Sequence, residues 1–153
     1  MTPFILQKTL KTEMENLFQD FILKGVDGEP SRLNVYRQNL PIKSGRDDKD
    51  HYPHLRIIIL DGEDGGFLEP NQCRILLVAG VWDDNEDRQG FDDLLNVTQK
   101  VYKHLITTAF DQFELEYPIK WKIHEEDTFP FYFAGIETVW TVGKITPPDS
   151  DLV

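Results

Sequence analysis

The sequence has little cysteine, few positive charges and no long apolar run, and each shortage removes a class of protein. A single cysteine among 153 residues rules out an internal disulfide. Cys73 lies in an apolar stretch and reads as a small buried hydrophobe of a reducing compartment. A catalytic thiol would need an accessible, electropositive setting instead. No apolar run approaches the ~20 residues of a membrane span. The first residues offer only Phe4-Ile5-Leu6 before Gln7 and Lys8, which is no secretory signal, so a soluble cytoplasmic protein is expected. The 16 lysines and arginines are outnumbered by 27 acids, for a net charge of −11. Such a chain repels duplex nucleic acid, whose binding needs bases to displace counterions, and it also repels anionic membranes.

Catalytic signatures are missing too. No serine sits in a nucleophile elbow, and no glycine-rich loop carries a lysine for phosphate. The stretch from His124 to Asp127 lacks the second histidine of a zinc-protease helix. The expectation is a protein without catalytic residues, metal or cofactor.

What is present is a globular composition, 40% hydrophobic and 12% aromatic, at the length of one domain with a real core. Thr2-Pro3 reads as an N-cap followed by proline at the first helical position. Leu6, Leu10, Met14, Leu17, Phe18 and Phe21 then recur at helical spacing, predicting an amphipathic helix that runs to Gly25. Residues 31–40 read as a strand ended by Pro41. The polar segment 41–54 reads as a mobile loop or extended arm. Residues 55–60 predict a strand, and "DGEDGG" at 61–66 a turn. Residues 73–82 are almost continuously apolar, predicting a central strand buried on both faces. A second helix carries Phe91, Leu94, Leu95, Val101, Tyr102 and Leu105 on one stripe, with Thr98 in the gap. Residues 113–123 alternate, with Phe113, Leu115, Tyr117, Ile119, Trp121 and Ile123 on the buried side, and Pro118 marks an edge or bulge. A last strand spans 130–145, before a polar tail at 146–153. The order α-β-β-β-α-β-β predicts a two-layer α+β domain over 1–145. Its sheet is mixed but mostly antiparallel, of four to five strands, packed with two main helices.

The most acidic stretch, "GVWDDNEDRQGFDDLL" from Gly80 to Leu95, invites a metal-site reading. Asp83, Asn85 and Asp87 match the first, third and fifth positions of a calcium loop. Arg88 then stands where glycine is required, and Leu94 where glutamate is. A helix start explains more: Asp84 is placed to cap, and the acids meet the positive end of the helix dipole. His51 and His54 have two residues between them, but zinc needs three or four convergent ligands. They read as solvated loop histidines, and Glu125, Glu126 and Asp127 as a solvated turn or acidic contact surface. Charge is unevenly spread. Arg32, Arg37, Lys43, Arg46, Lys49 and Arg56 crowd residues 31–56, while acids crowd 61–69, 83–93 and 125–127. A basic arm and an acidic surface suit head-to-tail self-association, which closes into a ring when the rotation permits. The candidate interface residues are Arg32, Arg37, Lys43, Arg46 and Lys49 on one side. On the other are Asp83, Asp84, Glu86, Asp87, Glu125 and Glu126. A merely solvated, mixed surface is the competing reading.

Four stretches, in order, carry a resemblance: "VYRQNLP" (35–41), "HLRIIILDGED" (54–64), "LLVAGVWDDNEDRQGFDDLLNVTQKVYKHL" (76–105) and "YPIKWKIHEEDTFPFYFAGIETVW" (117–140). Together they cover just under half of the chain, and the last two are the most specific. On these stretches the chain resembles the tail-terminator (tail-completion) proteins of long-tailed bacteriophages and of prophages of Gram-positive bacteria. The resemblance implies a helix-flanked α+β domain that assembles as a ring, a hexamer, on the head-proximal end of the tail tube. It implies three partners: further copies of itself, the tail tube protein, and head-side neck proteins. It implies residence in the host cytoplasm during assembly and in the virion afterwards, and it brings no catalytic residues. Another neck or head-completion component, or a small acidic inhibitor module, remains the alternative.

Overall fold

The computed structural model describes residues 2–24, 30–41, 48–110 and 112–143, the side chains of Lys24, Asp48 and Lys49 excepted. The elements are α1 (Pro3–Leu17), β1 (Ile22–Lys24), β2 (Pro30–Arg32), β3 (Asn34–Arg37), a 3-10 turn (Asp48–His51), β4 (His54–Asp64), β5 (Asn71–Trp82), α2 (Gly90–Thr107), β6 (Glu114–Ile123) and β7 (Phe131–Val142). The main sheet has the order β3-β4-β5-β7-β6, and β1 and β2 form a separate two-stranded sheet. With α1 in front and α2 after β5, the main sheet follows the expected α-β-β-β-α-β-β order, an α+β fold. No helix among the described residues is long and apolar enough to cross a membrane.

Thr2 accepts the Ile5 N–H at 3.3 Å, and Pro3 occupies the first turn, as the capping pattern predicts. The helix stops at Leu17, however, well short of Gly25. Its cap residue Phe18 donates its N–H back to Met14, and Phe21 donates to the Phe18 carbonyl at 3.1 Å. This turn keeps Phe18 and Phe21 in edge contact, ring centres 5.4 Å apart. The apolar spacing therefore outlasts the helix. Ile22–Lys24 pairs antiparallel with Pro30–Arg32 instead. The single strand expected at 31–40 divides at buried Leu33.

β3 pairs with β4 in parallel, and every other pair in the main sheet is antiparallel. The connection at 38–53 is long enough to return the chain to the same end. Gln38, at φ +62°, closes β3. Its Oε1 accepts the Ile59 N–H at 2.6 Å and the Gln7 amide at 2.7 Å, and Gln7 also donates to the Ile57 carbonyl at 2.7 Å. That link ties α1 to the sheet. β4 runs four residues further than expected, through Asp61–Asp64, after a register shift between Ile59 and Asp61. The turn therefore lies beyond residue 64. Arg74 holds the extension through Asp61, with Nε to Oδ1 at 2.8 Å.

Both helices lie on one face. α1 packs over β3 and β4, and α2 over β5 and β7. His104 Nε2 meets Glu13 Oε2 at 2.9 Å and links the two. On β5, Cys73, Ile75, Leu77, Ala79 and Val81 are buried beneath them, while Arg74, Leu76 and Val78 face the other way and stay exposed or half-buried. β5 is central, as expected, but only one of its faces is fully covered. β6 departs further from its clean pattern. Leu115, Ile119 and Ile123 are half-buried, but Tyr117 and Trp121 are 68% and 63% exposed, because α2 does not reach the sheet edge. Pro118 does mark a register shift, between Glu116 and Lys120.

Thr138 is fully buried. Its hydroxyl donates to the Ile75 carbonyl at 2.7 Å and accepts the Trp140 indole N–H at 2.8 Å. Thr138→Val leaves the indole donor unpaired, so urea unfolding should show a loss of about 1–3 kcal/mol. Thr138→Ser should restore most of it.

Candidate functional site

The acidic stretch after β5 builds its own loop. Asp83 Oδ1 accepts the Asn85 N–H at 2.9 Å, Asn85 Oδ1 the Asp87 N–H at 3.3 Å, and Asp87 Oδ1 the Gln89 N–H at 3.0 Å. Successive Asx turns of this kind satisfy backbone donors before the helix begins. The residue at the helix N-cap is Gln89, and Asp92 and Asp93 supply the acids of the first turn. Asp84 does not cap the helix, contrary to the sequence expectation. The loop's own Asx turns take up the residues between Asp84 and the helix. Gly90 has a steric reason: a Cβ there would lie 2.6 Å from the Tyr132 ring and 2.9 Å from Asp83.

Arg88, at φ +67°, reaches across to the β6–β7 loop. It grips Asp127 with two parallel bonds of 2.9 and 3.1 Å and lies over the Phe129 ring at 5.0 Å. Hydrogen bonds from the Arg88 guanidinium, and then from the Phe129 N–H, hold the Asp127 carboxyl below its ordinary range. Both partners are more than half exposed, so the pair adds little stability. Its effect is positional. It brings Asp84, Glu86 and Asp87 to the same end of the sheet as Glu125 and Glu126. Asp83 does not join that surface, since it is 2% exposed and spends its carboxylate on the loop.

The basic side is less complete. Arg32 and Arg37 are exposed on β2 and β3. Lys43 and Arg46, with most of the expected arm, and the Lys49 side chain lie outside the described residues, as does the tail at 146–153. Arg56 is committed internally, its Nε donating to the Gln38 carbonyl at 2.8 Å.

The histidines are not solvated. His51 and His54 are 5% and 1% exposed. They pack among Tyr36 and Tyr52, and Tyr52 in turn meets Phe131 and Phe133. The parallel return of the chain brings them to the sheet end. Gly80 makes room, since a Cβ there would lie 2.6 Å from the His54 ring. A glycine inside an apolar strand, with aromatics in three distant segments, was the available signal. Cys73 is buried, as expected, and burial pushes its thiol up to about 11. Among the described residues, no three His, Cys, Asp or Glu side chains are placed to hold one ion.

The sheet face away from the helices is open. Cross-strand rows run Arg56–Val78–Gly135–Lys122, Ile58–Leu76–Glu137–Lys120 and Asp61–Arg74–Val139–Glu116. Ile58, Leu76, Val78 and Val139 are half-buried by their neighbours alone. An open groove of about 580 Å³ crosses this face, with Leu76, Val78, Phe133 and Gly135 as its floor and Lys120, Lys122 and His124 along one side. Sequence reasoning missed this surface, because the alternation on β5 is hidden when both sets of residues are apolar.

No known family model matches the chain, and no curated protein matches it.

Two predictions test the geometry. Asp84→Ala should leave stability within about 0.5 kcal/mol. Gly90→Ala should cost about 1–3 kcal/mol by overpacking against Tyr132, read by denaturant midpoint. A third concerns pH. Burial foremost, then the charge of Arg56, lowers His54 from 6.5 to about 4. The unfolded chain therefore takes up a proton that the folded one refuses. The His54 contribution is full above pH 6.5 and is lost as pH falls toward 4, a total of about 3 kcal/mol. His54→Gln should flatten that part of the stability–pH curve.

Proposed function

We propose that this chain is a structural component of a long-tailed phage, capping the head-proximal end of the tail tube as a ring. The observation that carries the reading is a sheet covered by helices on one face only, with half-buried aliphatics and a lysine-edged groove on the other. An unmatched face of this kind suits a subunit whose neighbours complete it. The four stretches that resemble tail terminators supply the biological setting. In this reading the ring is a hexamer with the tail tube below it and neck proteins above, and the chain has no catalytic role. The acidic end, with Asp84, Glu86, Asp87, Glu125 and Glu126, suits a channel wall past which DNA slides without adhering. The chain would pass from the host cytoplasm into the virion.

Deleting the gene from its prophage, inducing, and imaging the particles by electron microscopy tests this. Tails of uncontrolled length beside tailless filled heads are the expected result. Normal-length unattached tails would move the protein to a head-side neck role, and intact particles would remove it from the virion.

A further inference from the structure

We infer that the tip of the β4–β5 hairpin of one copy docks into the open-face groove of the next. This rests on the ring reading above and names the contact that would build the ring.

The tip is the most exposed apolar feature among the described residues. Phe67 and Leu68 are 88% and 83% exposed and adjacent. Leu68 holds φ +74°, a left-handed conformation that a branched side chain adopts only under strain. The turn is nevertheless organised. Gly66 donates its N–H to Asp64 Oδ1 at 3.0 Å, and Glu69 donates to the Gly66 carbonyl at 3.2 Å. A built turn that presents two large apolar side chains to solvent is shaped to meet an apolar surface.

The groove offers that surface and the opposite charge. Its floor is aliphatic and aromatic, and Gly135 leaves it open between Val78 and Lys122. The tip is flanked by Glu63, Asp64 and Glu69, with no base anywhere from Asp61 to Gln72. Along the groove stand Lys120, Lys122 and His124. Lys122 meets Glu125 at 2.9 Å, both highly exposed, and Glu137 is already held by Arg74 at 3.1 Å. Lys120 has no acidic partner among the described residues. Acidic tip and basic groove edge are therefore complementary in a chain that is otherwise strongly negative.

The contact cannot form within one molecule. The hairpin tip lies before Asn71, and the groove centres near Val78, seven residues further along β5, or about 24 Å along the strand and away from the tip. Tip and groove are different surfaces, so each copy offers one and receives the other. This is a heterologous contact, which propagates until rotation closes it.

The test mixes two variants. Phe67→Ser with Leu68→Gly disables the tip; both positions are exposed, and glycine relieves the backbone at 68. Lys120→Glu with Lys122→Glu disables the groove edge, also at exposed positions. Sedimentation should show the unmodified protein associating beyond dimers by about 1 mM, each variant alone staying monomeric, and the equimolar mixture forming a one-to-one pair and nothing larger. Unmodified protein that stays monomeric, variants that associate as it does, or a mixture that stays monomeric would each overturn the contact. The deletion phenotype is independent. Abnormal tails with no pairing would leave the capping role and remove this contact. Pairing with intact particles would do the reverse.

Discussion

Two helices must cover a five-stranded sheet, and they cover one face. The rest of the structure answers to the face left bare. Buried beneath α1 and α2 are Leu55, Ile57, Ile75, Leu77, Ile136 and Trp140, the dry side expected of an antiparallel sheet. The bare side is managed in two ways. At one end Tyr36, Phe131 and Phe133, themselves half-buried, pack with His51, Tyr52 and His54 and keep these three from water. Toward the other end Arg74 is held between Asp61 and Glu137, at 3.1 Å from the latter, and this ladder keeps a hydrated surface over the aliphatics. Between the two lies the groove, where neither device operates.

The same constraint explains the unusual residues. Gly80 is needed because the His54 ring lies on the strand backbone, and Gly90 because Tyr132 lies against the start of α2. The Gln7–Gln38 amide pair satisfies backbone groups where β3 ends. Arg88 joins the two loops at the acidic end.

Much of this was legible in the residues. Helical spacing located both helices, alternation located β6, and apolar runs located β4 and β5, because burial imposes these patterns. It overran at α1, where Phe18 and Phe21 keep helical spacing through a turn, and it stopped short at β4, where Asp61–Asp64 look like turn residues but pair with Asn71–Arg74. The acidic surface was partly legible, since charge runs are local. Asp83 was misjudged, as an acid buried by its own Asx turn carries no distinct signature. The histidines were misjudged for a different reason. Their burial depends on Gly80 and Phe133, which are distant in sequence and brought close by antiparallel pairing of β4 with β5 and of β5 with β7. The groove was invisible, because a strand apolar on both sides does not reveal which side is covered.

The bare sheet face is proposed as an assembly face. Electron cryomicroscopy of isolated tails at side-chain resolution tests it most directly. The expected result is a ring of this chain at one tail end, with Val78, Gly135 and Lys120 of each copy covered by its neighbour. The same residues turned to solvent in that ring, or a tail end without this chain, would contradict it.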